Sequence, residues 1–68
     1  MSNWFILFVT DEDLLVVVDY NDEGVVLSVN PSDVKMFKIF ELYDFINQAH
    51  EHLDKETCEQ FILLRVGI

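Results

Sequence analysis

The chain has 68 residues, of which 51% are apolar, and thirteen Asp and Glu against four Lys and Arg give it a net charge of −9. That length allows one domain with one small core, and a chain so rich in apolar residues is not disordered. The charge repels nucleic acid and anionic membrane surfaces, the single cysteine excludes an intrachain disulfide, and no apolar run approaches the roughly 18 residues of a membrane span.

Asn3 to Thr10 (NWFILFVT) is rich in aromatic and β-branched residues and predicts a first strand. Asp11-Glu12-Asp13 is its turn. Leu14 to Tyr20 predicts the second strand, because three consecutive valines disfavour a helix. Asn21-Asp22-Glu23-Gly24 closes a hairpin, with Gly24 free to take positive φ. Val25 to Asn30 predicts the third strand, and Asn30-Pro31-Ser32-Asp33 a turn. Asp33 to Ile39 reads as a short edge strand guarded by Lys35 and Lys38, with an early helical turn as the alternative.

Phe40 to Leu53 predicts a helix. Leu42, Phe45, Ile46, Ala49 and Leu53 share one face, while Glu41, Asp44, Gln48 and Glu51 line another. Asp54-Lys55-Glu56-Thr57 is expected to end it, and Phe61 to Val66 to form the last strand. The expected fold class is therefore α+β: a small, mainly antiparallel β-β-β-(β)-α-β meander forming a single compact domain. One helix packs on one face, and the last strand returns beside the first.

Three strands carry apolar residues on both sides. Trp4, Ile6 and Phe8 oppose Phe5, Leu7 and Val9. Leu14, Val16 and Val18 oppose Leu15 and Val17, and Phe61 and Leu63 oppose Ile62, Leu64 and Val66. Such strands normally lie between two covering layers, and the sequence offers one helix. A surplus apolar face follows, which soluble monomers seldom tolerate. Which face the helix covers is left open, because it depends on the register of the Asp11 to Asp13 turn.

The residues offer little for catalysis or metal binding. His50 and His52 lie two apart on a helix and point away from each other, so they do not share a metal. Cys58 has no glycine-bearing elbow or oxyanion loop, since Gly24 and Gly67 are the only glycines. There is no phosphate-cradling loop, and four basic residues make no nucleic-acid track. No cofactor is expected, and the chain is not expected to be an enzyme.

Two partner surfaces are expected instead. One is acidic, with Asp11, Glu12, Asp13, Asp22, Glu23, Glu41, Asp44 and Glu51 as candidates for contact with a basic protein. The other is the apolar sheet face, with Trp4, Phe5, Leu7, Leu15 and Val17 as candidates. In size, charge and lack of catalytic apparatus the chain resembles in kind the small acidic proteins that phages make against host enzymes. Those include anti-restriction and anti-CRISPR proteins, RNA polymerase inhibitors and uracil-DNA glycosylase inhibitors. No motif of any one family is matched. The resemblance implies an inhibitor or modulator of a nucleic-acid-handling host protein, in some such proteins by mimicry of DNA phosphates. The alternative is a structural or assembly homodimer joined by the apolar face. With no basic leader ahead of a short apolar run and one cysteine, the expected compartment is the cytoplasm, the host's if a phage encodes the chain.

Overall fold

The computed structural model describes residues 3–67. Within them the order is β1 (Asn3–Val9), β2 (Leu14–Asn21), β3 (Gly24–Ser28), a 3-10 turn (Pro31–Asp33), α1 (Ile39–His52), α2 (Lys55–Glu59) and β4 (Phe61–Val66). The strands form one antiparallel sheet in the order β3-β2-β1-β4, so β4 returns beside β1 as the sequence predicts. The result is a small α+β fold with one main helix across a four-stranded sheet.

Small polar residues, not the acids, shape both hairpin turns. Thr10 Oγ1 accepts from the Asp13 N–H at 2.9 Å, and the Thr10 N–H donates to the Asp13 carbonyl at 2.9 Å. In the second turn Asn21 Oδ1 accepts from the N–H groups of Glu23 and Gly24. Gly24 there adopts φ +153°, a conformation that residues with a Cβ rarely take.

Between β2 and β3 the register shifts. Val17 lies opposite Leu27, but Asp19 lies opposite Val26, so Val18 is an extra residue in β2. Strict alternation from Val17 would turn Asp19 toward the core. The bulge instead leaves Asp19 exposed and turns Tyr20 inward, where it packs against the core cluster.

Residues 34–39 are not an edge strand. The segment runs between β1 and β2, where those strands part. The Lys35 N–H donates to the Val17 carbonyl at 2.9 Å. Phe37 then forms an isolated antiparallel bridge to Trp4, with paired backbone hydrogen bonds of 2.7 and 2.8 Å. The reading that Lys35 and Lys38 guard an edge fails because neither edge lies here: β3 and β4 are the outer strands. Lys35 pairs with Glu41 at 3.2 Å and lies 5.2 Å from the centroid of the Phe37 ring. Ile39 already opens α1.

The helix buries the face its spacing predicts: Leu42, Phe45 and Ala49 are buried, with Ile46 and Leu53 packed beside them. Beneath it Ile6, Val17 and Phe37 are wholly buried. A continuous run of rings, Tyr20, Phe37, Phe45, Phe61 and Phe8, lines this layer with centroids 4.8 to 5.7 Å apart. Such edge-on and offset contacts add specificity to the apolar burial.

The helix ends as predicted, but the chain then makes a second short helix that the sequence reading did not include. Leu53 takes an extended backbone and Asp54 occupies the N-cap position of α2, its carboxylate accepting from the Thr57 hydroxyl. The Cys58 thiol donates to the Ala49 carbonyl at 3.3 Å and ties α2 to the last turns of α1. Gln60 then holds both backbone groups of Val9. Its carbonyl accepts the Val9 N–H at 3.0 Å, and its side-chain amide donates to the Val9 carbonyl at 3.0 Å.

Candidate functional site

The bridge and register fix which side of the sheet the helix covers: the one carrying Trp4, Ile6, Phe8, Leu15, Val17, Phe61 and Leu63. Every other residue along each strand faces the opposite way. That opposite side carries Asn3, Phe5, Leu7 and Val9 from β1, then Leu14 and Val16 from β2 before its bulge and Asp19 after it. The outer strands add Val26 from β3 and Ile62, Leu64 and Val66 from β4. One row across the sheet reads Ser28, Val16, Leu7, Ile62. Alternation from Phe37 also turns Met36 to this side, into the gap where β1 and β2 part.

Among the described residues neither helix lies over this face, but the chain after β3 crosses β2 here, and the 3-10 turn packs on β2 with Asp33 bonded to Ser28. Leu14 is 60% exposed, Val26 50%, and Ile62, Val66 and Met36 more than 40% each. Val16, at the centre, is buried where the 3-10 turn packs on β2. Ser28 holds the one hydroxyl in the pattern. It donates to Asp33 Oδ2 at 3.0 Å and accepts from the Asn30 N–H at 3.0 Å, so its polar capacity is already used. The only formal charge among these strand positions is Asp19, placed at one end by the bulge.

The five apolar residues expected to form one surface are thus divided. Trp4, Leu15 and Val17 lie on the helix side, and Val17 is fully buried there. Phe5 and Leu7 lie on the open side, partly exposed. Sequence reasoning missed the outer members, Leu14, Val26, Met36, Ile62, Leu64 and Val66. Continuing the Phe5, Leu7, Val9 parity across antiparallel neighbours identifies most of them once the register is known.

The eight acids are divided as well. Asp11, Glu12 and Asp13 occupy the turn at the Val9 end of the sheet, where Gln60 also brings the end of α2. Asp22 and Glu23 occupy the turn at the other end. Glu51 lies exposed in the last turn of α1. Glu41 and Asp44 are engaged by the fold itself. Glu41 accepts from the Lys38 N–H at 3.1 Å and from Lys35 Nζ at 3.2 Å, and these contacts, the backbone one foremost, hold its pKa below the usual value. Asp44 accepts the Tyr20 hydroxyl at 2.8 Å, with the Glu41 carbonyl a second acceptor at 3.3 Å. Burial first, then the bond to Asp44 and the neighbouring carboxylates, push the Tyr20 pKa up to about 12.

Two lesser features complete the surface. Ile39, Phe40 and Tyr43 form a small exposed apolar cluster at the start of α1, with Phe40 67% exposed. A shallow cleft runs between the β2–β3 turn and α1, lined by Tyr20, Val25, Phe45 and Gln48 among others. Among the described residues no three His, Cys, Asp or Glu side chains converge as metal ligands, and no helix is long and apolar enough to cross a membrane.

Comparison with known protein families, with curated proteins and with solved structures returns no match to this chain.

Proposed function

We propose that the chain is a protein-association module, not an enzyme, and that its working surface is the open face of the sheet. The observation that carries this reading is that one side of the sheet has no helix over it and leaves Met36, Ile62, Leu64 and Val66 exposed beside β1. An apolar surface of this kind gains free energy when a polypeptide covers it, at about 25 cal/mol per Å² removed from water. The rim acids of the two hairpin turns add long-range steering toward basic surfaces.

Affinity capture from a lysate of a plausible source cell, at low and at high salt, tests this. Binding through the face survives high salt and is lost in Leu64→Asp. Capture that vanishes at high salt and ignores Leu64→Asp overturns it.

A second reading has its own supporting observation. The hydrogen bonds that shape the two turns use Thr10 and Asn21, which leaves the carboxylates of Asp11, Glu12, Asp13, Asp22 and Glu23 without a structural task there. These five are the residues with which a modulator of a nucleic-acid-handling protein would imitate phosphates. Such binding weakens steeply with salt. Neutralising Asp11, Glu12 and Asp13 together then abolishes capture, whereas Glu41→Gln does not.

A further inference from the structure

We infer that β4 pairs edge to edge with β4 of a second copy of this chain, antiparallel and centred on Leu63, so that two sheets become one. The inference uses the edge of the sheet and not its open face, so it goes beyond the reading above and stands or falls apart from it.

The ladder to β1 decides which way each β4 backbone group points. The two strands meet in one unbroken register, from Asn3 opposite Val66 to Phe8 opposite Phe61, and the Val9 N–H continues it by donating to the Gln60 carbonyl. In an antiparallel ladder hydrogen-bonded pairs alternate with non-bonded ones. The bond at Val9 and Gln60 therefore assigns the bonded positions to Ile62, Leu64 and Val66. It leaves the N–H and C=O groups of Phe61, Leu63 and Arg65 pointing away from β1. The other side of β1 keeps the same alternation, since Trp4 exchanges both its backbone bonds with Phe37 there. No strand lies beyond β4, and among the described residues nothing bonds the outward groups of Phe61, Leu63 and Arg65.

The two edges of the sheet differ. β3 has five residues, lies opposite the Val18 bulge and runs into the chain that crosses β2. Shortness and irregularity of that kind blunt an edge. β4 has six residues in unshifted register, with no proline, glycine or acid, and Arg65 as its one charge. A straight apolar edge is a template for another strand.

β4 itself is the strand that fits. Its outward residues are matched most fully when Leu63 meets Leu63 of the other copy and Phe61 meets Arg65, each pair exchanging both N–H···O bonds about a two-fold axis. The same register sets Ile62 opposite Leu64 of the other copy at the closer, non-bonded positions, so side chains exposed in the single chain cover one another. The charges agree. Arg65 is exposed and belongs to no ion pair among the described residues. Paired in this way it reaches the Phe61 end of the other copy, the end that carries the Asp11 to Asp13 turn and the α2 acids Glu56 and Glu59. The one cation of β4 thus approaches the acid-rich end of the second copy, twice by symmetry.

Sedimentation equilibrium of the whole chain across the micromolar range, with amide hydrogen exchange followed by NMR on the same samples, is the test. The expected result is twice the 8.0 kDa mass of one chain, with the amides of Phe61, Leu63 and Arg65 gaining protection as concentration rises. Arg65→Pro removes an outward N–H that the β1 ladder does not use, so the chain folds and the dimer weakens by at least roughly tenfold. Arg65→Glu weakens the dimer at low salt, and high salt restores it by screening the like charges. A monomer throughout overturns the inference. So does a dimer in which those three amides exchange freely, or one indifferent to either substitution. Should Arg65→Pro fail to fold, NOEs between the α-protons of Ile62 and Leu64 on separately labelled wild-type copies decide: their presence supports the pairing, and their absence from a dimer overturns it. The open-face reading answers instead to Leu64→Asp in the capture experiment, which Arg65→Pro leaves unchanged, so the two fail separately.

Discussion

The two faces of the sheet have similar side chains and opposite fates. Ile6, Val17 and Phe37 lie at zero exposure under α1, wedged among aromatic rings. Phe5, Leu7, Ile62 and Leu64, drawn from the same strands, meet solvent in the single chain. Hydrophobicity by itself therefore does not say where the core is. Cover does, and cover comes from the single long helix and from the Phe37 segment. What distinguishes the open face is the absence of a helical layer over β1 and β4, not a change in composition.

The sharpest way to break the comparison is to place the same charge on each side. Val17→Asp puts an unpaired carboxylate in a fully enclosed site and abolishes folding, read as loss of cooperative thermal unfolding by circular dichroism. Leu64→Asp, partly exposed on the other side, preserves the fold. Next in size, Phe45→Ala removes a buried ring that touches three other rings and costs about 3–5 kcal/mol. Val26→Ala on the open face costs less than about 1 kcal/mol in the monomer, and denaturant titration below the association range compares the two.

Smaller effects sharpen the description of the covered side. Tyr20→Phe removes the hydroxyl bond to Asp44 and costs about 1 kcal/mol. It also changes the alkaline limb. The folded chain holds the Tyr20 proton up to a pKa of about 12, while the unfolded chain releases it near 10.0. The stability this supplies is complete below pH 10.0 and is lost as pH rises toward 12. Melting temperature against pH shows that loss in the wild type and a flatter limb in Tyr20→Phe. The smallest effect belongs to Glu41→Gln. The carboxylate contributes stability above its unfolded value of 4.5, lost as pH falls through its lower folded pKa. The variant shows less acid sensitivity in melting temperature against pH and little change at neutral pH, as partly exposed ion pairs give.

Much of this architecture is legible in the residues. The valine run of β2, the aromatic β1, the apolar stripe of α1 and the return of β4 all follow from local period, and local period survives folding. Three features do not. The bulge at Val18 depends on which residue of β3 meets Asp19, a cross-strand matter, although a lone acid where the covered face needs an apolar residue was a usable sign. The Phe37 segment depends on β1 and β2 separating, and that separation is a property of the assembled sheet. In α2, five residues carry too little periodicity to identify a helix, and Asp54 to Thr57 read only as the end of α1. The same split governs the open face: its apolar content is readable, while its membership requires the register, which separates Phe5 and Leu7 from Trp4, Leu15 and Val17.

The bridge between Phe37 and Trp4 has a bearing on how the molecule is made. Part of β1 finds its neighbour more than thirty positions downstream, not in its own hairpin. The first two strands alone therefore cannot zip to completion, and a peptide ending before residue 34 is left with open backbone at Trp4. Closing that loop costs chain entropy that the two backbone bonds of the bridge then offset, and the bridge leaves the first hairpin dependent on a segment outside it.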